Sequence, residues 1–215
     1  MGAIEIYADV WCPFAHVGLH YVIDRRSALG RGDVLLDIRA WPLELVNGVP
    51  LDPEITASHV KELRSQVAPH LFKGFDPDHF PATSLPALAC VHAAYRHDPK
   101  TGEAMSLAVR DALFEEGLDI SRPTVLSDLC EAFEVGSYGA ADEKAVRTDW
   151  EDGVRRGVRG SPHFYCGTAD AFCPSLDIAR RADGALEVKR DTAALDTFLA
   201  NCFDGSAGQG RRGHR

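Results

Sequence analysis

The sequence predicts an α/β protein in which both ends of the chain contribute to one sheet and a block of helices lies between them. Three observations support this prediction. Roughly the first 40 residues alternate strand, helix and strand, and roughly the next 90 contain helical patterns without a convincing strand. Strand patterns then return at Gly157 and are followed by a closing helix.

The first unit is a predicted strand–helix–strand crossover. Apolar residues alternate over residues 4–8, and a helix is expected from Pro13 to about Leu29. Gly30 and Gly32 interrupt that helix, and residues 34–41 form the second predicted strand. Such a unit implies a right-handed crossover and a parallel strand pair. Residues 42–53 contain prolines and Asn-Gly, so irregular structure is expected there.

The middle of the chain reads as a series of amphipathic helices. Ser84 is a plausible N-cap and Gly117 a plausible C-cap within this series. The helices are predicted at residues 56–67, 84–95, 103–116, 121–133 and 140–156.

The last part of the chain contains three predicted strands and a helix. The strands lie at residues 157–167, 171–174 and 185–188, with the second antiparallel to the first across a turn at Gly167. Thr192 is predicted to cap a helix over residues 193–203. Residues 205–215 are rich in glycine and polar residues, so this tail is expected to be disordered.

The composition argues against two classes of partner, nucleic acids and membranes. The formal net charge of -9 argues against a nucleic-acid or anionic-membrane binder. No apolar run approaches the ~20 residues that a membrane helix needs, and the N-terminus leads directly into the first strand. A cytoplasmic location is therefore expected, without membrane or nucleic-acid partners.

Six cysteines are present, and Cys12 is the one that the local pattern favours for chemistry. It precedes Pro13, a residue tolerated at the first helical position. A thiol there faces unpaired helix amides and the positive end of the helix dipole, which favour the thiolate. No two cysteines are spaced as C-x-x-C and no zinc pattern is seen, so no metal is expected. Cys90, Cys130 and Cys202 lie in apolar helical patterns and are expected to be buried.

Two segments resemble the DsbA-like, thioredoxin-fold proteins, especially the FrnE type. Residues 9–18 read DVWCPFAHVG, similar to the active-site segment D-x-x-C-P-[WF]-C-x-x-G, and residues 157–164 read GVRGSPHF, similar to G-V-x-G-[VTS]-P-x-F. The resemblance implies a thioredoxin-like domain formed by residues 1–54 and 146–204, with residues 55–145 as a helical insertion.

The resemblance also implies a cis peptide bond before Pro162, packed against Cys12. A cis bond is inexpensive only before proline, so Ser161 would be turned to offer its backbone groups to an extended thiol peptide. The alternative is an ordinary trans proline at the start of a strand. Pro13 and Phe14 complete the implied support of the site.

One departure from the family pattern affects the expected reaction. Ala15 stands where dithiol members carry a second cysteine, so Cys12 cannot close the usual disulfide. Cys12 could act as a monothiol through a mixed disulfide, or Cys173 could act as a distant resolving thiol. A third route is thiol-dependent isomerisation or transfer, as in the related 2-hydroxychromene-2-carboxylate isomerases and kappa-class glutathione transferases, which carry serine at the position of Cys12. A non-catalytic, thiol- or peptide-binding member is a further alternative.

Other polar residues near the two segments are candidates with structural alternatives. His16 follows Cys12 by one helical turn, where it would lower the thiol pKa if protonated or would simply be packed. Asp9 could assist proton transfer or be a buried structural carboxylate. His163 could face the pocket or form only local hydrogen bonds. Ser175 and Asp177 are weak candidates for holding the charged end of a thiol cofactor, by analogy with glutathione-binding relatives.

The implied partner is a thiol or disulfide substrate, either a small molecule or a peptide. No tightly bound cofactor is expected, and a low-molecular-weight thiol such as glutathione or mycothiol is the expected cosubstrate. The sequence leaves open whether the chain forms a homodimer.

Overall fold

The computed structural model describes the backbone of residues 3–207 and the side chains of residues 3–203. The strands are β1 (Ala3–Ala8), β2 (Leu35–Ala40), β3 (His163–Cys166), β4 (Ala169–Phe172), β5 (Leu176–Arg180) and β6 (Leu186–Arg190). The α-helices are α1 (Pro13–Ala28), α2 (Leu43–Asn47), α3 (Pro53–Gln66), α4 (Leu85–His97), α5 (Pro99–Phe114), α6 (Pro123–Ala132), α7 (Ala140–Arg156) and α8 (Thr192–Ala207).

The central sheet joins the two ends of the chain, as the sequence predicts. Its four strands lie in the order β2-β1-β3-β4. Strand β1 is parallel to β2 and antiparallel to β3, and β3 is antiparallel to β4. Ile6 lies between Ile38 and Phe164 in this register, and all three side chains are buried in the main core. The predicted parallel pair and the predicted β3–β4 hairpin are therefore confirmed.

A second, two-stranded sheet consists of the antiparallel pair β5 and β6. The strand predicted at residues 185–188 belongs to this hairpin and not to the central sheet. Strand β5 was not predicted, because four of its five residues are exposed and give no clear apolar alternation. The short helix α2 was also not predicted, and it lies within the stretch expected to be irregular.

The helical insertion covers the outer edge of β2. The Tyr95 hydroxyl donates to the Leu36 carbonyl at 2.8 Å and lies 2.8 Å from the Ile38 amide, which donates to it. The Leu36 amide donates to Glu103 at 2.7 Å, and Glu103 also binds Arg26 of α1 in a buried ion pair. An edge strand otherwise presents unpaired backbone groups to solvent. Hydrogen bonds to the backbone of β2, together with core packing, therefore hold the insertion against the sheet.

Several helices are capped differently from the prediction, and this changes where some of them begin. Ser84 occupies the N-cap of α4, but its hydroxyl bonds to Glu44 and makes no cap bond. Asp98 caps α5, so that helix begins at Pro99, four residues before the predicted start. At α8 the cap is Asp191, whose carboxylate accepts from the Ala194 amide at 2.8 Å, and the predicted cap Thr192 is the first helical residue.

Gly117 has the left-handed φ of +69°, although the C-cap of α5 is Glu115. The disordered tail was predicted to begin at residue 205. Helix α8 continues through Ala207, so the predicted start is too early. Residues 208–215 of that tail lie outside the described residues. Within the described part of the chain, none of the helices has the length and apolarity required to cross a membrane.

Candidate active site

Cys12 lies at the N-cap of α1, facing the loop before β3. Its backbone is extended, Pro13 follows at the first helical position, and the residue is 3% exposed. The Ser161–Pro162 peptide bond is cis, in agreement with the sequence expectation. The Cys12 thiol donates to the Ser161 carbonyl at 3.2 Å, and the Ser161 hydroxyl accepts from the Asp9 amide at 2.9 Å. The two motif segments therefore meet although they are 149 positions apart.

Burial raises the pKa of Cys12 above its ordinary value. The Ser161 hydrogen bond and the amide of Ala15 act in the opposite direction, but they do not outweigh desolvation. The amides at the start of α1 therefore favour the thiolate, as the sequence analysis expects, but burial of the sulfur has the larger effect. The bond to the Ser161 carbonyl is consistent with a protonated thiol, because a carbonyl oxygen only accepts.

Asp9 is a fully buried carboxyl group next to the thiol. Burial raises its pKa to about 7, while the hydrogen bond from the Leu43 amide and the charge of Arg110 partly oppose that effect. The Leu43 amide donates to Asp9 Oδ2 at 2.5 Å. The charge of Asp9 in turn contributes to the raised pKa of Cys12. The site therefore contains a group that can gain or lose a proton near neutral pH.

Arg110, on α5 of the insertion, was not predicted as a site residue. It is 1% exposed, and it donates to the Asp9 carbonyl at 3.2 Å and to the Ser106 carbonyl at 2.6 Å. Burial lowers its pKa to about 10, although the charge of Asp9 favours the guanidinium. Ser106, Arg110 and Leu113 follow helical spacing on a buried face of α5. An arginine within such a face was the sequence signal that could have identified it.

His16 is packed against the insertion. Its Nε2 lies 2.9 Å from Glu115 Oε1, and its ring contacts Phe72 and Phe114. Burial lowers the pKa of His16, which disfavours the protonated form that the sequence hypothesis requires. Burial also opposes ionisation of Glu115, but hydrogen bonds from His16 and the Phe72 amide outweigh it and bring the Glu115 pKa to about 2.

His163 also forms local contacts. Its Nε2 lies 2.9 Å from Asp170, and its Nδ1 accepts from the Arg159 amide at 3.1 Å. The ring packs against Tyr165 at a centroid distance of 4.6 Å. These contacts favour the local hydrogen-bonding role.

Cys173 lies just after β4, next to the cis-proline. Its amide donates to the Pro162 carbonyl at 3.0 Å, and its φ is +48°. Burial raises the Cys173 pKa to about 12, and the charge of Cys12 adds to this shift. Cys12 and Cys173 are both free thiols. The structure thus brings Cys173 within electrostatic range of Cys12 without joining the two sulfurs.

Ser175 lies close to the cis-proline, whereas Asp177 lies at an exposed position of a hairpin. Ser175 is 1% exposed, and its Oγ has no hydrogen-bond partner among the described residues. A Cβ placed on Gly18 would lie 3.3 Å from both Pro162 Cγ and Ser175 Oγ, so α1 approaches these two residues closely. Asp177 is exposed on β5, where it lies opposite Lys189 in the hairpin.

Aromatic residues of the chain preceding α4 cover the start of α1. Trp11 stacks on Phe80 with ring centroids 5.6 Å apart and an interplanar angle of 11°. Phe14 packs against His59 of α3 at 5.3 Å. Phe14 therefore helps to hold the N-terminus of α1 against the insertion. It is the last of the supporting residues predicted from the sequence.

Residues 3–183 match the model of the DSBA-like thioredoxin domain family. The chain belongs to this family. No curated protein matches the chain at a significant level.

Solved structures with the same fold include the cytosolic disulfide reductase DsbM from Pseudomonas aeruginosa. It is 18% identical with a TM-score of 0.58, over 97% of this chain and 100% of that one. DsbM with GSH gives 18% identity and a TM-score of 0.55, over 96% and 99% of the two chains. A 2-hydroxychromene-2-carboxylate isomerase is 13% identical with a TM-score of 0.57, over 79% of this chain and 88% of that one. At these identities the likeness establishes the thioredoxin-like fold.

Proposed function

We propose that this protein is a FrnE-type, monothiol member of its family that exchanges disulfides through Cys12. The observation that carries the proposal is the position of the Cys12 sulfur. It lies at the N-terminus of α1 and 3.2 Å from the Ser161 carbonyl before cis-Pro162, with Ala15 where a second cysteine would stand.

The reaction has two balanced steps. The Cys12 thiol loses its proton, and its sulfur attacks a substrate disulfide, forming a Cys12 mixed disulfide and releasing one substrate thiolate. A second thiol then attacks the mixed disulfide, which regenerates Cys12 and releases a new disulfide. In each cycle one thiol enters the new disulfide and one thiol leaves the old one, so the number of disulfide bonds does not change.

Asp9 is the proposed proton acceptor and donor in these steps. With a pKa of about 7, it is partly ionised near neutral pH and can accept the proton that Cys12 loses. Because the charge of Asp9 raises the Cys12 pKa, protonation of Asp9 also favours the thiolate. Proton transfer to Asp9 therefore compensates in part for the desolvation of the thiol.

The substrate thiol is proposed to be a low-molecular-weight one, such as glutathione or mycothiol. The Ser161 backbone supplies groups that an extended thiol could bind. The buried Ser175 hydroxyl, without a partner of its own among the described residues, can donate to a bound molecule. The structure of DsbM with GSH supports this choice by analogy. We expect the reaction in the cytoplasm, where such thiols are kept reduced.

The test is mass spectrometry of reduced protein after exposure to glutathione disulfide or mycothiol disulfide. We expect one adduct, located on Cys12, which a second thiol removes. Cys12→Ser should abolish both the adduct and exchange activity, while Cys90→Ala, which removes another buried thiol, should retain them. A Cys12–Cys173 disulfide would instead support Cys173 as the resolving thiol. An adduct that persists in Cys12→Ser, or none in the wild type, would reject the proposal.

Thiol-dependent isomerisation or transfer is the second candidate, and one observation favours it. Because its pKa is raised, the Cys12 thiol is a hydrogen-bond donor. The resemblance implies a serine at this position in the related isomerases and transferases, and a serine hydroxyl can donate in the same way. In that case Cys12 would stabilise the sulfur of a bound thiol without forming a bond to it. Cys12→Ser would then retain activity, which distinguishes this candidate from the mixed-disulfide reaction.

A further inference from the structure

A second cluster of polar side chains lies one turn further along α1, between that helix and α5. His16 and His20 of α1 and Asp111 of α5 each offer one atom, and these three atoms all lie within 4.8 Å of one another. Asp111 Oδ1 is 3.3 Å from His20 Nε2 and 4.0 Å from His16 Nδ1. Neither Cys12 nor Asp9 belongs to this cluster.

Glu115 determines which nitrogen of His16 is available. Glu115 accepts hydrogen bonds from the Phe72 amide at 2.6 Å and the Lys73 amide at 3.2 Å, so its carboxylate is held in place. A carboxylate only accepts, and His16 Nε2 must therefore donate across the 2.9 Å contact to Glu115. In the neutral ring the other nitrogen, Nδ1, then carries a lone pair.

The lone pair of His16 Nδ1 has no partner within the part of the chain that the structure describes. His16 is fully buried, and its Nδ1 lies 4.0 Å from Asp111 Oδ1, which is also an acceptor. A buried polar atom without a hydrogen bond is unfavourable, and two acceptors facing each other increase that cost. A cation between the two groups would satisfy both of them.

We propose that His16 Nδ1, His20 Nε2 and Asp111 bind one divalent transition-metal ion, with Zn²⁺ as the simplest case. Two imidazoles and a carboxylate are a common ligand set for zinc, and a water molecule would complete the tetrahedron. Ligand atoms at about 2.1 Å from zinc lie about 3.4 Å apart. The two separations from Asp111 are 3.3 and 4.0 Å and all three atoms lie within 4.8 Å of one another, so side-chain rotations would bring them to this geometry.

The surroundings of the cluster fit such a site. Glu115 bonded to the outer nitrogen of His16 is the partner that metal-binding histidines usually have, and it orients the ring. The rings of Phe72 and Phe114 exclude water from the inner side. The side chains of His20 and Asp111 are 28% and 38% exposed, which leaves a path for the ion from solvent.

The experiment is a titration of tag-free, fully reduced protein with Zn²⁺ by isothermal calorimetry. We expect about one ion per chain, and we expect His20→Ala and Asp111→Asn each to weaken binding by at least about tenfold. Both positions are partly exposed, so these variants should remain folded. His79→Ala is the matched control, because His79 lies 3.4 Å from Asp76 and the two belong to no three-ligand group among the described residues. It should leave the affinity unchanged.

Cobalt(II) distinguishes this site from zinc captured by thiols. Thiolate ligands give Co²⁺ an intense near-ultraviolet charge-transfer band, and ligation by histidine and carboxylate does not. We expect no such band, and the same binding in Cys12→Ser as in the wild type. Undetectable zinc binding, an unchanged affinity in both ligand variants, or a thiolate band that accompanies binding would each overturn the proposal. None of these readouts depends on disulfide exchange.

Discussion

Cys12 and Cys90 are both buried thiols with pKa values raised by desolvation, yet their neighbours differ in kind. Cys12 lies at a helix N-terminus, bonded to the Ser161 carbonyl and close to Asp9. Cys90 lies on α4 of the insertion, and its sulfur is 3.3 Å from that of Cys130 on α6. The comparison shows that burial alone does not identify the candidate cysteine. The amides of Ala15 and Phe14 at the start of α1 lower the pKa of Cys12, whereas the hydrogen bond with Cys130 raises that of Cys90.

The largest effect should come from placing a second cysteine on α1, one helical turn after Cys12. Ala15→Cys places a thiol one turn along α1, and we expect an intramolecular disulfide with Cys12 to form under mild oxidation. Mass spectrometry without reduction would show it, together with loss of the stable Cys12 mixed disulfide. Ala15→Ser is the control of similar size. If Cys12 still accumulates the mixed disulfide in the Ala15→Cys variant, the absence of a cysteine at position 15 does not explain the proposed monothiol reaction.

The second effect concerns Asp9, which Cys90 lacks as a neighbour. The pKa of Asp9 is about 7 in the folded chain and 3.8 ordinarily, so folding opposes its ionisation. Its neutral form stabilises the fold fully below about pH 4, and that contribution is lost as pH rises through 7. Asp9→Asn should remove this dependence, with a difference of up to about 4 kcal/mol between pH 4 and pH 8.

Urea unfolding at several pH values measures the Asp9 effect, with Asp24→Asn, at an exposed position of α1, as control. The same variant should move alkylation of Cys12 to lower pH, because the Asp9 charge raises the thiol pKa. Parallel stability curves for the wild type and Asp9→Asn would contradict a buried carboxyl that titrates near neutral pH.

The third effect concerns Arg110, the buried cation beneath the site. Arg110→Met should cost about 3 kcal/mol of the free energy of unfolding, because the Asp9 and Ser106 carbonyls lose a buried donor. It should also raise the pKa of Asp9 further, since the Arg110 charge lowers it. Arg96→Met is the control: Arg96 binds Asp142 from an exposed position, so a loss of about 1 kcal/mol or less is expected. Equal losses for the two arginines would show that Arg110 is not specifically coupled to the site.

The smallest effect should come from Cys90, the second cysteine of the comparison. Cys90→Ala removes the sulfur next to Cys130, and we expect a loss of about 1 kcal/mol in chemical denaturation, from the small cavity. Exchange activity and the alkylation profile of Cys12 should not change. A slower exchange in Cys90→Ala would mean that the insertion thiols take part in the reaction.

Much of the fold could be predicted because its signals are local. Alternating apolar residues in β1 and Pro13 at the start of α1 report backbone preferences that neighbouring positions decide. The meeting of Cys12 with Pro162 was also expected, but through the resemblance of two motifs rather than through periodicity. By contrast, strand β5 could not be predicted, because its exposed residues carry no core-facing alternation.

The sequence by itself determined the order of most elements, the candidate sulfur at Cys12 and the alanine at position 15 where a second cysteine would stand. Only the tertiary structure decided the direction of the Cys12 pKa, the partner of His16 and the place of Arg110 beneath the site. Desolvation and hydrogen bonding act between residues about 100 positions apart, such as His16 and Glu115 or Asp9 and Arg110. Such contacts leave no periodic pattern in the chain, and they exist only once the insertion has packed against the sheet.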